Sequence, residues 1–577
     1  MKHKTLYFLL TGLMVLSMLL AACTQTPVAE ETEAPVVETE EPVVETEEPV
    51  ATEEPAPVFE PLSLSAPDCE YGGLFQTIEA VDEMTVRFTM CAPDPAFLSK
   101  IAFSAFAIHS SDYLNETGGG GALLETPIGT GPYVLAEWAR GDQLVLTRNE
   151  NYWGEPADNA TVVFRWSSEA AQRLLELQSG TVDGIDNVGP DDFATVEADA
   201  NLQLLVRQAL NIFYVGMNNT YAPFDNPLVR QAIAMGIDRQ RLVDNFFPAG
   251  SEVATHFTPC AIPNACTGEA WYEFDPVAAR DLLTQAGFPD GFDTEIAYRD
   301  VVRGYLPQPG VVAQDIQAQL LENLNINAEI VVMESGAFLE AADAGDLQGL
   351  HLLGWGADYP DMTNFLDYHF GAGSSAQFGA LWPEITDALR AGAALAIDAE
   401  RTPFYETANN AIRTNIPMVP ISHGASALAF KAAVEGGHAS PLGNESMAVM
   451  SVPGQDTFVW MQNAEPISMY CADETDGETL RACEQVLESL YSYEVGGVAA
   501  IPSLATACTA NEDLTVWTCT LREGVLFHDG STLDANDVVL SYIVQWDAAN
   551  PLHIGNTGAF SYWSGLWGAF LNAPPAE

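Results

Sequence analysis

The sequence predicts an α/β protein built in at least two lobes, and three observations carry that prediction. The chain has 577 residues, several times the usual size of one domain. Apolar residues make up 48% and aromatics 10%, enough for most of the chain to fold around sizeable cores. Helix and strand patterns alternate from residue 270 to 355, as they do in an α/β layer.

The first 22 residues read as an export signal. Lys2 and Lys4 precede a short apolar run, Leu6 to Leu20, and the small pair Ala21 and Ala22 then leads to Cys23. The run is short for a spanning helix. Leu20-Ala21-Ala22-Cys23 resembles a bacterial lipobox, which implies that Cys23 is acylated and anchors the chain to the membrane by lipid alone. Residues 23–60 form an acidic tether. The theme Pro-Val-Val-Glu-Thr-Glu begins at Pro35 and again at Pro42, and twelve Glu but no Lys or Arg fall between Thr26 and Glu60. Recurrent Pro excludes a coiled coil, and like charges keep such a segment extended.

The folded part, 61–577, opens with strands. Thr85 to Met90 alternates, with Val86 and Phe88 on one face and Arg87 on the other; Leu144 to Thr147 and Thr161 to Trp166 also read as strands. Leu228 to Phe246 reads as one helix, with Val229, Ile233, Gly236 and Ile237 along a stripe. Pro276 to Ala286 is a second, with Asp275 as N-cap and Gly287 past its end. Gln314 to Leu324 is a third, followed by the strand Ala328 to Met333. Near the far end Val516 to Leu521 is a strand and Asp534 to Gln545 a helix.

Charge and motif content exclude several classes of function. Lys and Arg total 21 against 80 Asp and Glu, so the surface repels phosphate backbones and nucleic acid is no partner. High charge of one sign suits a soluble exported protein. No His-Glu-x-x-His and no Gly-x-Ser-x-Gly occurs, so no enzyme is expected. Gly118 to Gly121 and Gly129-Thr130-Gly131 lack phosphate-loop spacing and read as turns. No cofactor is expected. With Cys23 set aside, eight cysteines remain for an oxidising space. Proximity pairs Cys260 with Cys266, Cys471 with Cys483 and Cys508 with Cys519, leaving Cys69 with Cys91, although eight cysteines allow many connectivities. Without a Cys-x-x-Cys, and with scattered histidines, no metal site is expected.

Five strings resemble the peptide/nickel class of bacterial extracellular solute-binding proteins, family 5, which serve oligopeptide and dipeptide importers. They are Gly129-Thr130-Gly131-Pro132-Tyr133 with Arg148-Asn149 and Tyr152-Trp153-Gly154; Arg230 to Ile233 with Ile237-Asp238-Arg239; Asp275-Pro276 through Ala286-Gly287-Phe288; Trp355 to Asp361 with Asn364-Phe365-Leu366; and Leu521 to Val525 with Phe527 to Gly530 and Ala535 to Val539. The resemblance implies a two-lobed periplasmic-binding-protein-like fold, type II, of the large cluster with an extra subdomain. Lobe I would run from about 61 to 255 and 425 to 577, lobe II from about 256 to 424. The order departs from the family. Segments like Glu465-Pro466-Ile467-Ser468 and Leu521 to Val539 open the relatives and close this chain, which therefore reads as circularly permuted, opened between about Leu571 and Tyr71.

The function this resemblance implies is the substrate-binding component of an ABC importer, a monomer on the outer face of the cytoplasmic membrane. It would hold a small solute, an oligopeptide by preference, and dock on permease subunits. An oligosaccharide or metal-chelate binder, and a surface sensor or adhesin without transport, are the alternatives. Asp358 is the first ligand-binding candidate, because the matching Asp of peptide-binding relatives receives the ligand's α-ammonium group. Trp355 and Tyr359 either stack on ligand or fill the cleft wall, and His423, at the end of Pro420-Ile421-Ser422-His423, completes the candidates.

Overall fold

A computed structural model describes residues 59–574 apart from Ala396. The expected signal peptide, Cys23 and the tether up to Val58 lie outside the described residues. No helix among those described is long and apolar enough to cross a membrane.

Two large sheets organise the fold. The six-stranded sheet of lobe II runs in the order Glu252–Val253, Met418–His423, Asn211–Met217, Leu350–Gly356, Asp293–Arg299 and Asn327–Met333. Asp293–Arg299 is parallel to both Asn327–Met333 and Leu350–Gly356, the arrangement that alternating helices and strands require. The helix Pro276–Gln285 leads into Asp293–Arg299, and the helices Pro309–Leu324 and Ser335–Ala344 connect the three strands in turn. Asp275 accepts from the Val277 and Ala278 N–H groups at the start of the first, as its N-cap role demands.

The seven-stranded sheet of lobe I draws on both ends of the chain. Its order is Tyr133–Ala139, Gln143–Arg148, Thr161–Trp166, Thr457–Gln462, Gly184–Ile185, Ser426–Lys431 and Leu202–Arg207. Thr457–Gln462 lies parallel between Thr161–Trp166 and Gly184–Ile185. A five-stranded subdomain sheet repeats the pattern, with Thr85–Met90 antiparallel to Val516–Leu521. Behind it the helices Ala535–Trp546 and Ser561–Trp567 close an aromatic core; the Phe75 ring lies 5.4 Å from Trp563 and 4.8 Å from Trp567. The Gly129–Gly131 turn is structural. A Cβ on Gly129 would meet the Val486 carbonyl oxygen at 2.1 Å, and Gly131 N–H donates to that same oxygen.

Two expectations need correction. Lobe II begins at 208–210, not near 256, because Asn211–Met217 and Glu252–Val253 pair inside its sheet while Leu202–Arg207 pairs in lobe I. The helix expected over Leu228 to Phe246 is two, Pro227–Gly236 and Arg239–Phe246. Ile237 is extended (φ −96°, ψ 117°), Asp238 caps the second helix by accepting from Arg241 N–H, and Gln319 Oε1 accepts the Asp238 N–H. An apolar stripe runs on through such a break, so periodicity alone conceals it.

Among the described residues four disulfides join Cys69 to Cys91, Cys260 to Cys266, Cys471 to Cys483 and Cys508 to Cys519. His256 lies beside the Cys260–Cys266 pair, whose oxidised sulfurs are not thiolate ligands.

Candidate functional site

A cavity of about 460 Å³ lies between the two sheets and takes its walls from both lobes. Asp358 sits on it, just past the strand Leu350–Gly356. Its position is fixed on every side. Asp358 N–H donates to Asn364 Oδ1, Asn364 Nδ2 donates to Asp358 Oδ2, and Tyr562 OH donates to Asp358 Oδ1, at 3.0, 2.8 and 3.0 Å. Tyr493 OH donates to its carbonyl. Burial pushes the carboxyl up to about 7, with Asn364 and Tyr562 pulling against that rise. No basic side chain among the described residues lies within 4.0 Å to supply a counter-charge. A half-buried carboxylate on a cavity wall, with hydrogen bonds from neutral donors only, can receive a cation.

The neighbouring acid of the same string shows the contrast. Asp361 is grasped by both terminal nitrogens of Arg401 at 2.8 Å and accepts from the Thr363 N–H and hydroxyl. Burial raises it, and Arg401 more than reverses the effect, holding it below the usual carboxylate range. Asp361 is spent on an ion pair, whereas the partners of Asp358 are all neutral.

Trp355 also lines the cavity, its Nε1 donating to Asn364 Oδ1 at 3.2 Å and its ring stacked on Tyr368 with centroids 4.1 Å apart. Gly565 allows Tyr368 to approach, since a Cβ there would meet the Tyr368 ring at 2.6 Å. The other two candidates lie elsewhere. Tyr359 points into the core of lobe I, its hydroxyl 3.0 Å from that of Thr363, because the turn after Asp358 sends alternate residues to opposite sides. His423 is 4% exposed and donates through Nδ1 to the Asn211 carbonyl at the crossover between lobes. Neither lines the cavity.

The cavity also holds residues that periodicity and motif did not single out. On the lobe I wall Asp186, Arg207 and Arg481, with Glu445 buried behind them, form a closed ring of charge. Arg207 Nη2 bonds Asp186 at 3.1 Å and Glu445 at 2.7 Å, while Arg481 bonds the same two acids at 3.0 and 2.7 Å. Burial would raise Asp186, but Arg481 and Arg207 hold it down at about 2. Across the cleft Arg303 of lobe II meets Glu478 of lobe I at 3.1 Å. Arg299 ends the strand Asp293–Arg299, and the carboxyl ends of parallel strands are where α/β folds take ligands. That rule could have found Arg299. No local signal marks Tyr562, which enters the site only through the long-range pairing of the chain ends.

The sequence profile of the bacterial extracellular solute-binding proteins, family 5 Middle, matches residues 52–377 and 499–559. The chain belongs to this family. It is 28% identical over 390 residues to heme-binding protein A of Haemophilus influenzae, covering 66% of this chain and 71% of that protein. It is 28% identical over 375 residues to a dipeptide-binding protein of Pseudomonas aeruginosa, covering 63% and 69%. Among solved structures, the dipeptide-binding protein of Pseudoalteromonas sp. SM9913 in complex with Met-Leu superposes with a TM-score of 0.62 at 26% identity, over 66% of this chain and 76% of that one. The periplasmic binding protein DppA of Helicobacter pylori, in complex with the peptide STSA, gives 0.58 at 27% identity, over 63% and 71%. The family is one of extracellular solute-binding proteins.

Proposed function

We propose that this protein is the lipid-anchored binding component of an ABC importer and that it captures short peptides in the cleft between its lobes. The observation that carries the reading is Asp358, a half-buried carboxyl on the cavity wall, set by Asn364 and Tyr562 and without a cation of its own. A peptide's α-ammonium group supplies that cation. Ligand touching both walls favours the closed arrangement by its greater affinity for it, and the closed form then docks on the permease. Native mass spectrometry of the secreted protein tests capture directly. A co-purifying ladder of short peptides is the expected result, and a sugar or a metal chelate in its place removes the peptide assignment. Anchoring has its own test: Cys23→Ser should move the protein from the membrane fraction to the medium.

The family order of segments is circularly permuted in the same reading. Supporting it, strands from the two ends of the chain sit side by side, Thr85–Met90 with Val516–Leu521 and Thr161–Trp166 with Thr457–Gln462. Gly73 bridges Gly568, so the two ends of the folded part meet, as permutation requires. A gene rearranged to begin near Thr457, with the present ends joined by a short linker, should yield a protein of the same unfolding midpoint and ligand affinity. A rearranged chain that fails to fold would count against permutation.

A further inference from the structure

Away from the cavity, three metal-ligating side chains meet on lobe II. One ligand atom each from His256, Cys260 and Cys266 lies within 4.8 Å of the other two, and none of the three residues lines the cleft. His256 is 7% exposed, and its Nε2 is buried and bonds nothing among the described residues. Its Nδ1 lies 3.1 Å from the Thr255 hydroxyl, which in turn lies 3.8 Å from Cys260 Sγ. The two sulfurs are joined to each other, and zinc takes thiolates, not a disulfide. Of the four described bridges, however, this one spans 6 residues against 11, 12 and 22, so it restrains the unfolded chain least and is lost at the smallest cost. Cys260 is exposed, within reach of an attacking thiolate.

We propose that a small-molecule thiol opens this bridge and that His256, Cys260 and Cys266 then form a zinc site of three protein ligands. Two reductant thiols give up their hydrogens and become a disulfide, while Cys260 and Cys266 become thiols. Each thiol releases its proton to water as its sulfur binds the metal, so two thiolates balance the charge of Zn2+. The imidazole adds a nitrogen lone pair. Two Cys and one His, with a fourth position left to water, make a known zinc ligand set, and thiolates select zinc over the oxygen-seeking calcium and magnesium. Ligand atoms of a tetrahedral zinc stand about 3.5–4 Å apart, so small side-chain rotations suffice to close a site already within 4.8 Å. The loop does not depend on the bridge for its shape. Ile262 and Ala265 are buried in the lobe II core, and Asn409, on the helix Asp398–Asn415, donates through Nδ2 to the carbonyls of Ala265 and Thr267 at 3.1 and 3.0 Å. These contacts keep both sulfurs beside His256 after the bond between them has gone.

Zinc titration against a chromophoric zinc chelator tests the site, in the oxidised protein and after treatment with dithiothreitol and its removal without air. The chelator outcompetes surface carboxylates, so only tight binding is read. Reduced wild type should bind one zinc and oxidised wild type none, with alkylation and mass spectrometry placing the opened pair at Cys260 and Cys266. Loss of an outer-shell partner alone costs about 10–100-fold, so His256→Gln should weaken zinc by at least about 100-fold. The double variant Cys260→Ser, Cys266→Ser should bind no zinc with or without the reductant. Each variant is checked for a cooperative melting transition above the assay temperature; if His256→Gln fails that check, the serine pair carries the test. Reduced wild type that binds no zinc, a bridge that stays closed to dithiothreitol, or zinc retained by the serine pair overturns the site. Undiminished affinity in His256→Gln overturns the three-ligand assignment.

Discussion

Lobe II is cut from one continuous stretch of chain, whereas lobe I is assembled from both ends. In lobe II, Asp293–Arg299, Asn327–Met333 and Leu350–Gly356 follow one another with their helices between, so neighbours in sequence are neighbours in space. In lobe I, Thr457–Gln462 is inserted between strands that come from the first third of the chain. None of the four disulfides crosses that seam. Cys69–Cys91 staples one side, and Cys471–Cys483 and Cys508–Cys519 staple the other. The seam is therefore held without a covalent link, by strand pairing, buried rings, the Asp186–Arg207–Glu445–Arg481 network and long-range hydrogen bonds such as those of Thr130, Tyr152 and Trp153 to Glu488. A lobe closed by long-range contacts concentrates its stability in a few interdigitated side chains, while a lobe of local contacts spreads it.

The sharpest way to break the contrast is at the seam. Trp563 is fully buried against Phe75 from the other chain end, and Trp563→Ala should cost about 3–5 kcal/mol, read as a lower urea midpoint.

Acidity comes next, and both lobes share it, since burial raises Asp367 of lobe II to about 8 and Asp358 to about 7. Burial raises Glu488, Glu484 and Glu474 to about 7, and Asp476 and Asp537 to about 6, all in the C-terminal part of lobe I. A raised acid contributes stability that is complete below its unfolded value and is lost as pH climbs through its folded value. Asp186, held low, has the opposite sign and loses its contribution only in strong acid. His109, His351, His369 and His423, held down at about 4 by burial, pull the other way below about pH 6.5, so the loss from the raised acids is read above that, as a melting point of the ligand-free protein that falls between about pH 6.5 and pH 8. A midpoint that rises over that window would contradict the assignment.

A smaller effect belongs to the site between the lobes. Asp358→Asn should weaken an amine-bearing peptide about 10–100-fold with little change in melting temperature. In wild type the ammonium binds the ionised form, so affinity should fall as pH drops below about 7. If the variant instead fails to fold, Asp358 is a loop-forming residue. Smallest of all is the exposed pair Arg390–Asp387 of lobe II, where Arg390→Ala should shift stability by less than about 0.5 kcal/mol.

The same contrast explains what the sequence reveals. Strands with clean alternation are legible to the residue; Thr85–Met90, Thr161–Trp166 and Val516–Leu521 stand where their patterns place them. The capped helices of lobe II are legible too, since Asp275 marks its own helix start. The break at Ile237 is hidden because the apolar stripe continues through it, and the lobe boundary is hidden because crossover strands carry no mark of their own. At the site, Asp358 and Trp355 are readable through their string. Tyr562 and Glu478 are not, because their roles exist only after residues far apart in sequence have met. Tyr359 misleads because neighbours in a turn point to opposite sides.

At the crossover the two connections run side by side. Leu202–Arg207 pairs with Ser426–Lys431 on one side and Asn211–Met217 with Met418–His423 on the other. Between them the Asn211 side chain bonds the Gly424 carbonyl at 2.7 Å and the Gly424 N–H at 2.8 Å. Two straps bonded edge to edge in this way bend across their flat face more readily than within their plane, as a steel rule does. A swing of the lobes about that band would follow one arc and bring Glu478 back to the same arginine, and the gap left between them would act as a gauge of length rather than a mould that reshapes itself for every guest.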